Sequence, residues 1–580
     1  MKDYAVDKIR NVALVGHGST GKTSLTASFL FEAGVTSRLT KVEKGNTITD
    51  YDPEEIERNI SINSALCYLE WKDHKINIVD CPGYTNFLWD TRASLRAVDS
   101  GLVVVSGVAG VEVGTEKVWE MLEEFRLPRI LIINKLDREN SDYNRTLNSL
   151  RQFFGRQAVP VQLPVGKEKD FQGMIDLIQK KAYIFEKNES GKFKEVDIPQ
   201  ELKDETQKKH EELTEMIAEN DEQLMEIYFE KGELSPQELK EGLRKSMITR
   251  QLFPVFVSSA ALNIGAQPIL EGILDLLPNP LEREDIKGKI KGKEALIKPS
   301  LDGPFGALVF KTISDPYTGR ISVMRIFSGK IGPDSTVTNS TRNLDEKLSG
   351  LFYLQGKEQI PAGQAKAGDL VATAKLKSTF TGDSLCAKGS GLEFPPIEFP
   401  EPSISFAIEP KTRADEDRIS QATHRISEED PTARIERDPE TNELIISGNG
   451  QLHVEILTDR LKKRYNVDVV LKPPKIPYKE TIKGKSDVQG KYKKQTGGRG
   501  QYGDVKIKME PLPRGKDFEF EDKIFGGAIP KNFIPSIEKG IQEARKKGVV
   551  AGYPAVDFKV ILYDGSYHEV DSSDIAFKIA

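Results

Sequence analysis

Residues Gly16-His17-Gly18-Ser19-Thr20-Gly21-Lys22-Thr23 have the types and spacing to hold a polyphosphate. In the pattern G-x-x-x-x-G-K-T, glycines let backbone N–H groups curl around phosphate oxygens. The lysine brings a positive charge to the outer phosphates, and the threonine hydroxyl can bind Mg²⁺. The apolar run Asn11-Val12-Ala13-Leu14-Val15 precedes the loop, and Ser24 to Leu30 follows it with helical spacing. Strand, glycine-rich turn and helix start is the setting the motif needs, and the helix N-terminus adds its positive end at Ser24.

A base-reading segment follows. Asn134-Lys135-Leu136-Asp137 closes the strand-like run Arg129-Ile130-Leu131-Ile132-Ile133. A carboxylate at Asp137 accepts two hydrogen bonds, and guanine offers N1–H and its 2-amino group as a matched donor pair that adenine lacks. The wrong base would leave a buried charge mispaired. Backbone N–H groups of Ser259, Ala260 and Ala261, after Phe253-Pro254-Val255-Phe256-Val257, can hold the guanine oxygen. Between these pieces, Asp80 ends an alternating strand where a carboxylate can hold Mg²⁺ through water. Gly83 can offer its N–H to a γ-phosphate, so this stretch can sense whether that phosphate is present. The expected ligands are GTP or GDP with Mg²⁺.

The elements that position these groups are those of a multidomain α/β and β protein. At 580 residues the chain is long enough for several domains. Its 83 basic and 89 acidic residues give a net charge of −6, so any nucleic-acid-binding face must be local. Cys67, Cys81 and Cys386 show no paired or metal spacing and suit a reducing, cytoplasmic setting. The N-terminus is polar, and the most apolar stretch, Gly101 to Val105, is far too short to span a bilayer. After Asp137 a charged helical region, about 199–248, interrupts the α/β rhythm, which implies an insertion at about 155–255. From about 300, short strands set off by Gly and Pro read as a β-barrel, and Pro395 to Pro402 reads as a linker. Residues 402–475 read as a small α+β sandwich, with His453 a structural histidine at a helix start. Residues 482–508 carry eight basic side chains against Asp487 and Asp504, a net +6 that suits a phosphate backbone.

The nucleotide motifs together resemble those of Ras-like GTP-binding domains. Glu57-Arg58-Asn59-Ile60-Ser61-Ile62 resembles the first switch of translational GTPases, which usually reads Glu-Arg-Gly-Ile-Thr-Ile. From about residue 8 onward the chain resembles the elongation factor G family. Phe171-Gln172-Gly173-Met174-Ile175-Asp176-Leu177 resembles its inserted subdomain. Gly448-Asn449-Gly450-Gln451-Leu452-His453 resembles its Gly-Met-Gly-Glu-Leu-His. Gln495 to Gly503 and Asp564 to Ser573 resemble its domain IV. The resemblance implies a Ras-like P-loop GTPase domain with an inserted α/β subdomain over 1–285, and a β-barrel domain II over 286–398. It further implies a ferredoxin-like α+β domain III over 399–476 and a partial domain IV over 477–580, with domain V absent, the chain being either a fragment or a naturally truncated factor. It implies a ribosome partner, through rRNA and ribosomal proteins. The loops of Arg499 and His568 would approach the tRNA–mRNA duplex, with no membrane and a monomer off the ribosome.

Three departures from the family pattern bear on chemistry. Tyr84 stands where a histidine would position the attacking water, so Lys22, Gly83 and Tyr84 form the expected catalytic set. A phenol can accept a hydrogen bond from water but cannot become an imidazolium, so hydrolysis should suffer more than binding. Ser61 replaces the switch threonine, and its hydroxyl keeps the reach to join Thr23 and Asp80 around Mg²⁺. Ser19 replaces an acidic residue common in the family's phosphate loop. Three functional readings follow: a GTP-hydrolysing translocase, a GTP-binding ribosome factor with weak or no hydrolysis, or a recycling or protection role.

Overall fold

The computed structural model describes residues 2–315, 318–495 and 500–580. The chain forms two compact units, Met1–Glu436 with Leu444–Lys472, and Arg437–Glu443 with Pro473–Ala580.

The first unit opens with β1 (Ile9–Val15), α1 (Lys22–Glu32), α2 (Pro53–Arg58), β2 (Ala65–Trp71), β3 (His74–Asp80), α3 (Leu88–Ala97) and β4 (Ser100–Ser106). It continues with α4 (Val113–Glu124), β5 (Arg129–Asn134), α5 (Tyr143–Phe154) and β6 (Ala158–Pro160). An excursion follows: β7 (Gln162–Val165), β8 (Gly173–Asp176), β9 (Lys181–Phe185), β10 (Phe193–Val196), α6 (Lys203–Ala218), α7 (Glu222–Lys231) and α8 (Pro236–Ile248). The chain then returns through β11 (Phe253–Val257) and α9 (Ala266–Leu276).

The main sheet has seven strands in the order β2-β3-β1-β4-β5-β11-β6. Only β2 runs antiparallel to its neighbour. β1, β4, β5 and β11 are buried along their whole lengths. That is why they read as unbroken apolar runs: helices cover both faces of a parallel sheet. The order reverses around β1, which pairs with both β3 and β4, and a ligand crevice is expected at the carboxyl ends there.

β6 pairs parallel with β11, Phe253 opposite Ala158, so the excursion from the main sheet runs only from Gln162 to Ile248. Its four strands form their own antiparallel sheet, β10-β9-β8-β7. Its charged helices carry buried apolar stripes, such as Leu239, Leu243 and Met247 on α8. A Ser235–Glu238 capping box and Pro236 start that helix.

Beyond α9, strands from Gly306 to Cys386 build an eight-stranded antiparallel sheet. Buried ion pairs fix it to the nucleotide domain. Arg325 reaches both Asp99 oxygens at 2.9 and 3.0 Å, and Lys311 Nζ donates to Asp90 Oδ2 at 2.5 Å. Residues 404–472 fold as a four-stranded sheet with helices Arg413–Glu429 and Gln451–Tyr465 around Ile408, Ile446, Leu457 and Leu461. His453 is buried there. Its Nε2 lies 2.7 Å from Asp430 Oδ2 and its Nδ1 accepts from Asn449 N at 2.9 Å, a structural role.

The second unit is a sheet of Ser486–Lys494, Gln501–Pro511, Phe558–Ser566 and Phe518–Asp522, in that order, with helices Ile534–Arg545 and Asp574–Ile579. Its core holds Val505, Ile529, Ile537, Leu562 and Phe577, with Phe533 stacked on Phe577. Among the described residues no helix is long and apolar enough to cross a membrane.

Candidate nucleotide site

A cavity of about 420 Å³ opens at the carboxyl ends of the central strands. It is lined by Gly18, Ser19, Gly21, Lys22, Thr23, Ser24, Ser61, Gly83, Tyr84, Asn134, Lys135, Ala260 and Ala261. Six further candidates are not among its lining residues: Gly16, His17, Thr20, Asp80, Asp137 and Ser259. His17 turns away from it, its Nδ1 accepting from Gly114 N at 3.1 Å and its Nε2 lying 3.5 Å from Glu112.

The loop wraps the head of α1. Gly21 has φ +94°, a left-handed value that suits glycine at this turn into the helix. Lys22 is buried, and its Nζ donates to Gly16 O at 3.2 Å and His17 O at 2.8 Å. Burial pulls its ammonium down to about 8, with Asp80 acting in the opposite direction. Gly83 is packed against this lysine, and a β-carbon there would collide with Lys22 Nζ and the Gly16 carbonyl.

Oxygen atoms gather at the next position. Thr23 Oγ1 and Ser61 Oγ are 3.0 Å apart, and Thr49 Oγ1 donates to Asp80 Oδ2 at 2.8 Å. The other Asp80 oxygen is buried and has no hydrogen-bond partner among the described residues. Burial pushes the Asp80 carboxyl up to about 7, and the neighbouring Asp50 charge adds to the rise. Burial also raises Asp50, which lines the cavity. Among the described residues no three His, Cys, Asp or Glu side chains converge as a complete metal cage. Two hydroxyls and two carboxylates, one of them with an orphaned oxygen, suit a hard divalent cation that also takes phosphate and water oxygens. Asp50, which lines the cavity, is not among the candidate residues that the sequence pattern singled out.

Ser61 is held in place from outside the cavity. Glu55 closes a capping box at the head of α2, and its Oε1 accepts from Ile62 N and Asn63 N, each at 2.9 Å. Asn59, where the family usually has glycine, adopts φ +53°, a left-handed value that asparagine tolerates. Helix Gln451–Tyr465 then clasps the segment. Arg464 bridges Asp52 at 3.0 Å, Glu54 at 3.2 Å and Glu429 at 3.4 Å, and Arg58 reaches Asp459 at 2.6 Å. Asn86 Nδ2 donates to Asn449 O at 2.5 Å, so the Gly83–Phe87 stretch is tied to the same domain.

At the other end, Asn134 is a two-way brace. Its Nδ2 donates to Thr20 O at 2.9 Å, and its Oδ1 accepts from Ala260 N at 3.0 Å. Lys135 Nζ donates to Ser19 O at 2.5 Å. Asp137 Oδ1 accepts from Ser259 Oγ at 2.6 Å, which aims the carboxylate.

Four family models match the chain in order. They are the elongation factor Tu GTP binding domain over residues 7–279, and elongation factor G domain 2 over 304–388. Elongation factor G domain III follows over 399–473, and domain IV over 474–580. Elongation factor G of Thermotoga maritima is 43% identical over 579 residues, which is 99% of this chain and 84% of that protein. The chain belongs to the elongation factor G family. Elongation factor G of Thermotoga petrophila is also 43% identical, over 99% of this chain and 83% of its own length. A crystal structure of a Thermus thermophilus protein superposes with a TM-score of 0.84 at 38% identity, covering 99% of this chain and 83% of that one. This elongation factor G family member is therefore a GTPase of the translational class.

In the second unit, the register places Lys494 opposite Gln501 and Lys493 opposite Tyr502. Tyr502 O accepts from Ser572 Oγ, and His568 N donates to that same hydroxyl, so His568 lies at the same end of the sheet. The basic patch is narrower than the sequence count. Lys485, Lys491, Lys506 and Lys508 pair with Glu510, Asp504, Asp564 and Asp487. Lys493 and Lys494 are exposed and have no acidic partner among the described residues. Arg499 lies outside the described residues.

Proposed function

We propose that this chain couples GTP binding and hydrolysis to movement of tRNA and mRNA on the ribosome, as a cytoplasmic factor. The observation that carries the reading is the tie between the nucleotide cavity and the next domains. Ser61 and Gly83 sit at the cavity, and their flanking residues are bonded to helix Gln451–Tyr465 and its preceding loop. The eight-stranded sheet acts as the β-barrel domain II over 286–398, and 399–476 as the ferredoxin-like domain III. The second unit offers Lys493, Lys494 and His568 to the nucleic-acid phosphates of the decoding region, with Arg499 as a further contact by resemblance.

In this mechanism Asp137 reads the guanine N1–H and 2-amino group, while N–H groups of Ala260 and Ala261 hold its oxygen. Asn134 and Lys135 keep the phosphate loop in register with the base. Loop N–H groups and Lys22 bind the phosphates. Thr23 and Ser61 hydroxyls would hold Mg²⁺ directly, and Asp80 and Asp50 through water; the bound ion would neutralise charge on the β- and γ-phosphate oxygens. Gly83 N–H binds the γ-phosphate, and Tyr84 holds the attacking water. The water oxygen bonds to the γ-phosphorus as the bond to the β-bridging oxygen breaks, and the water protons end on phosphate. Departure of phosphate removes the acceptor of Gly83. The bonds Asn86–Asn449 and Arg460–Asn63 carry that change to domain III.

Tyr84 favours one second reading, in which the factor binds GTP as a conformational ligand and hydrolyses it little. Ribosome cosedimentation separates the two. Bound to a non-hydrolysable GTP analogue the chain should pellet with 70S ribosomes, and with GDP it should not. With GTP, a hydrolysing factor behaves as with GDP, whereas the second reading predicts pelleting as with the analogue. A chain that pellets with none of the three contradicts both.

A further inference from the structure

The berth of Tyr84 is built for a phenol. A β-carbon at residue 18 would lie 3.0 Å from Tyr84 Cε2, 3.1 Å from Cζ and 3.2 Å from Cδ2, so the ring packs tightly on the phosphate loop and would have to shift by a few tenths of an ångström to admit a larger residue. Ile60, Leu452 and the ring also pack onto the cluster of Ile62, Phe87 and Ile456. The phenol oxygen lies 3.3 Å from Ser19 Oγ. Ser19 is itself fixed, with φ +61° and its carbonyl accepting from Lys135 Nζ. The two departures at residues 19 and 84 are thus in contact, and Gly18 lies beneath them.

We propose that Gly18 and Ser19 are positioning residues that orient the Tyr84 phenol toward the attacking water. The inference rests on the hydrolytic reading above. A phenol has one proton and two lone pairs. Donating its proton to Ser19 Oγ leaves a lone pair to accept a hydrogen bond from water at the γ-phosphate. The Tyr84 proton never leaves its oxygen. Water forms the new P–O bond, the β-bridging oxygen keeps the electron pair of the broken one, and phosphate takes the water protons. The contact is long for a hydroxyl pair, and catalytic hydrogen bonds commonly shorten when substrate completes the site. An imidazole at residue 84 is too short to reach Ser19, so Tyr84→His alone loses this orientation.

The test is a double-mutant cycle on single-turnover GTP cleavage by the full chain on 70S ribosomes, with GTP affinity measured alongside. Ser19→Ala and Tyr84→Phe should each slow cleavage by about 10- to 100-fold, with a smaller effect on GTP affinity. The double variant should be no slower than Tyr84→Phe. Ser19→Asn, which tolerates the left-handed backbone of this position and keeps an oxygen acceptor for the phenol, should recover part of the rate. Gly18→Ala should slow cleavage in the parent but not in a Tyr84→Ala background. Additive losses, an unaffected Ser19→Ala, or a Tyr84→His variant faster than the parent would overturn the inference. A parent that binds GTP and ribosomes without cleaving GTP also overturns it, together with the hydrolytic reading. A parent that cleaves GTP but shows an additive cycle overturns this inference alone.

Discussion

The two ends of the nucleotide cavity are built on opposite principles. At the base end each key polar group already has a protein partner: Asn134 on both sides, Lys135 on the loop carbonyl, Asp137 on Ser259. At the γ-phosphate end the charges are buried and incompletely compensated. Asp80 is pushed up to about 7 with one oxygen unpartnered among the described residues, and Lys22, though bonded to Gly16 O and His17 O, is pulled down to about 8. A pre-organised end gives specificity without movement. An end whose buried charges keep unused bonding capacity makes its geometry depend on the ligand's state. Helix Gln451–Tyr465 grips the second end, where a change of state has something to move.

The comparison breaks most clearly at Asp137. Asp137→Asn should cost GTP affinity roughly 10³-fold or more and shift preference toward xanthine nucleotides, because a carboxylate-to-amide change reverses the donor pattern at one position. ATP should not compete in the parent. Competition binding with GTP, XTP and ATP measures this, and equal affinity of the parent for ATP and GTP would end the base-reading assignment. At the other end, Lys22→Ala should lower affinity by about 10- to 100-fold, the worth of charge-assisted hydrogen bonds to phosphate, in a chain that still folds. A variant that binds GTP as tightly as the parent would contradict the placement of that ammonium.

The pH dependence sharpens the contrast. The folded Asp80 carboxyl titrates above its unfolded value near 3.8, so its contribution to metal-free stability is fullest below that value and is lost as pH rises through about 7. Mg²⁺ binding needs the carboxylate. Below about pH 7 the apparent Mg²⁺ affinity should therefore fall up to ~10-fold per unit, and stabilisation by Mg²⁺ and nucleotide should grow from pH 6 to 8. Thermal unfolding with and without Mg²⁺ across that range, repeated for Asp80→Asn, measures it. A flat profile in the parent would remove the electrostatic account of this end.

The smallest expected effect lies in the second unit. Lys493→Glu with Lys494→Glu should weaken ribosome pelleting and lower its dependence on log salt by about 2, one for each phosphate no longer neutralised. Lys506→Glu should matter less, since Lys506 already pairs with Asp564 at 2.8 Å. Equal effects from both changes would make the whole strand, and not its tip, the docking surface.

At the base end the sequence named residues that the fold does bring together, Asn134, Lys135, Asp137 and Ser259, because they follow the ends of buried strands. At the switch end it named Thr23, Ser61 and Asp80 but neither Asp50 nor Glu55. Asp50 and Glu55 carry charged side chains beside a helix start, which local pattern assigns to solvent; tertiary packing buries both. The Gly18–Ser19–Tyr84 contact joins residues 65 positions apart, and no spacing rule connects them. The excursion from the main sheet is tighter than composition suggested, since the three residues of β6 are too short to read as a strand of that sheet. The basic count overstated the patch because Glu510 and Asp564 lie outside the counted window and come back through strand pairing.

The central claim is that this chain hydrolyses GTP when the ribosome completes the γ-phosphate end. Single-turnover cleavage of GTP at saturating Mg²⁺, with and without 70S ribosomes, tests it most directly. The account predicts slow cleavage by the chain alone and acceleration of at least ~10²-fold on ribosomes, roughly 3 kcal/mol of barrier. GTP that remains intact on ribosomes to which the chain is bound would contradict it.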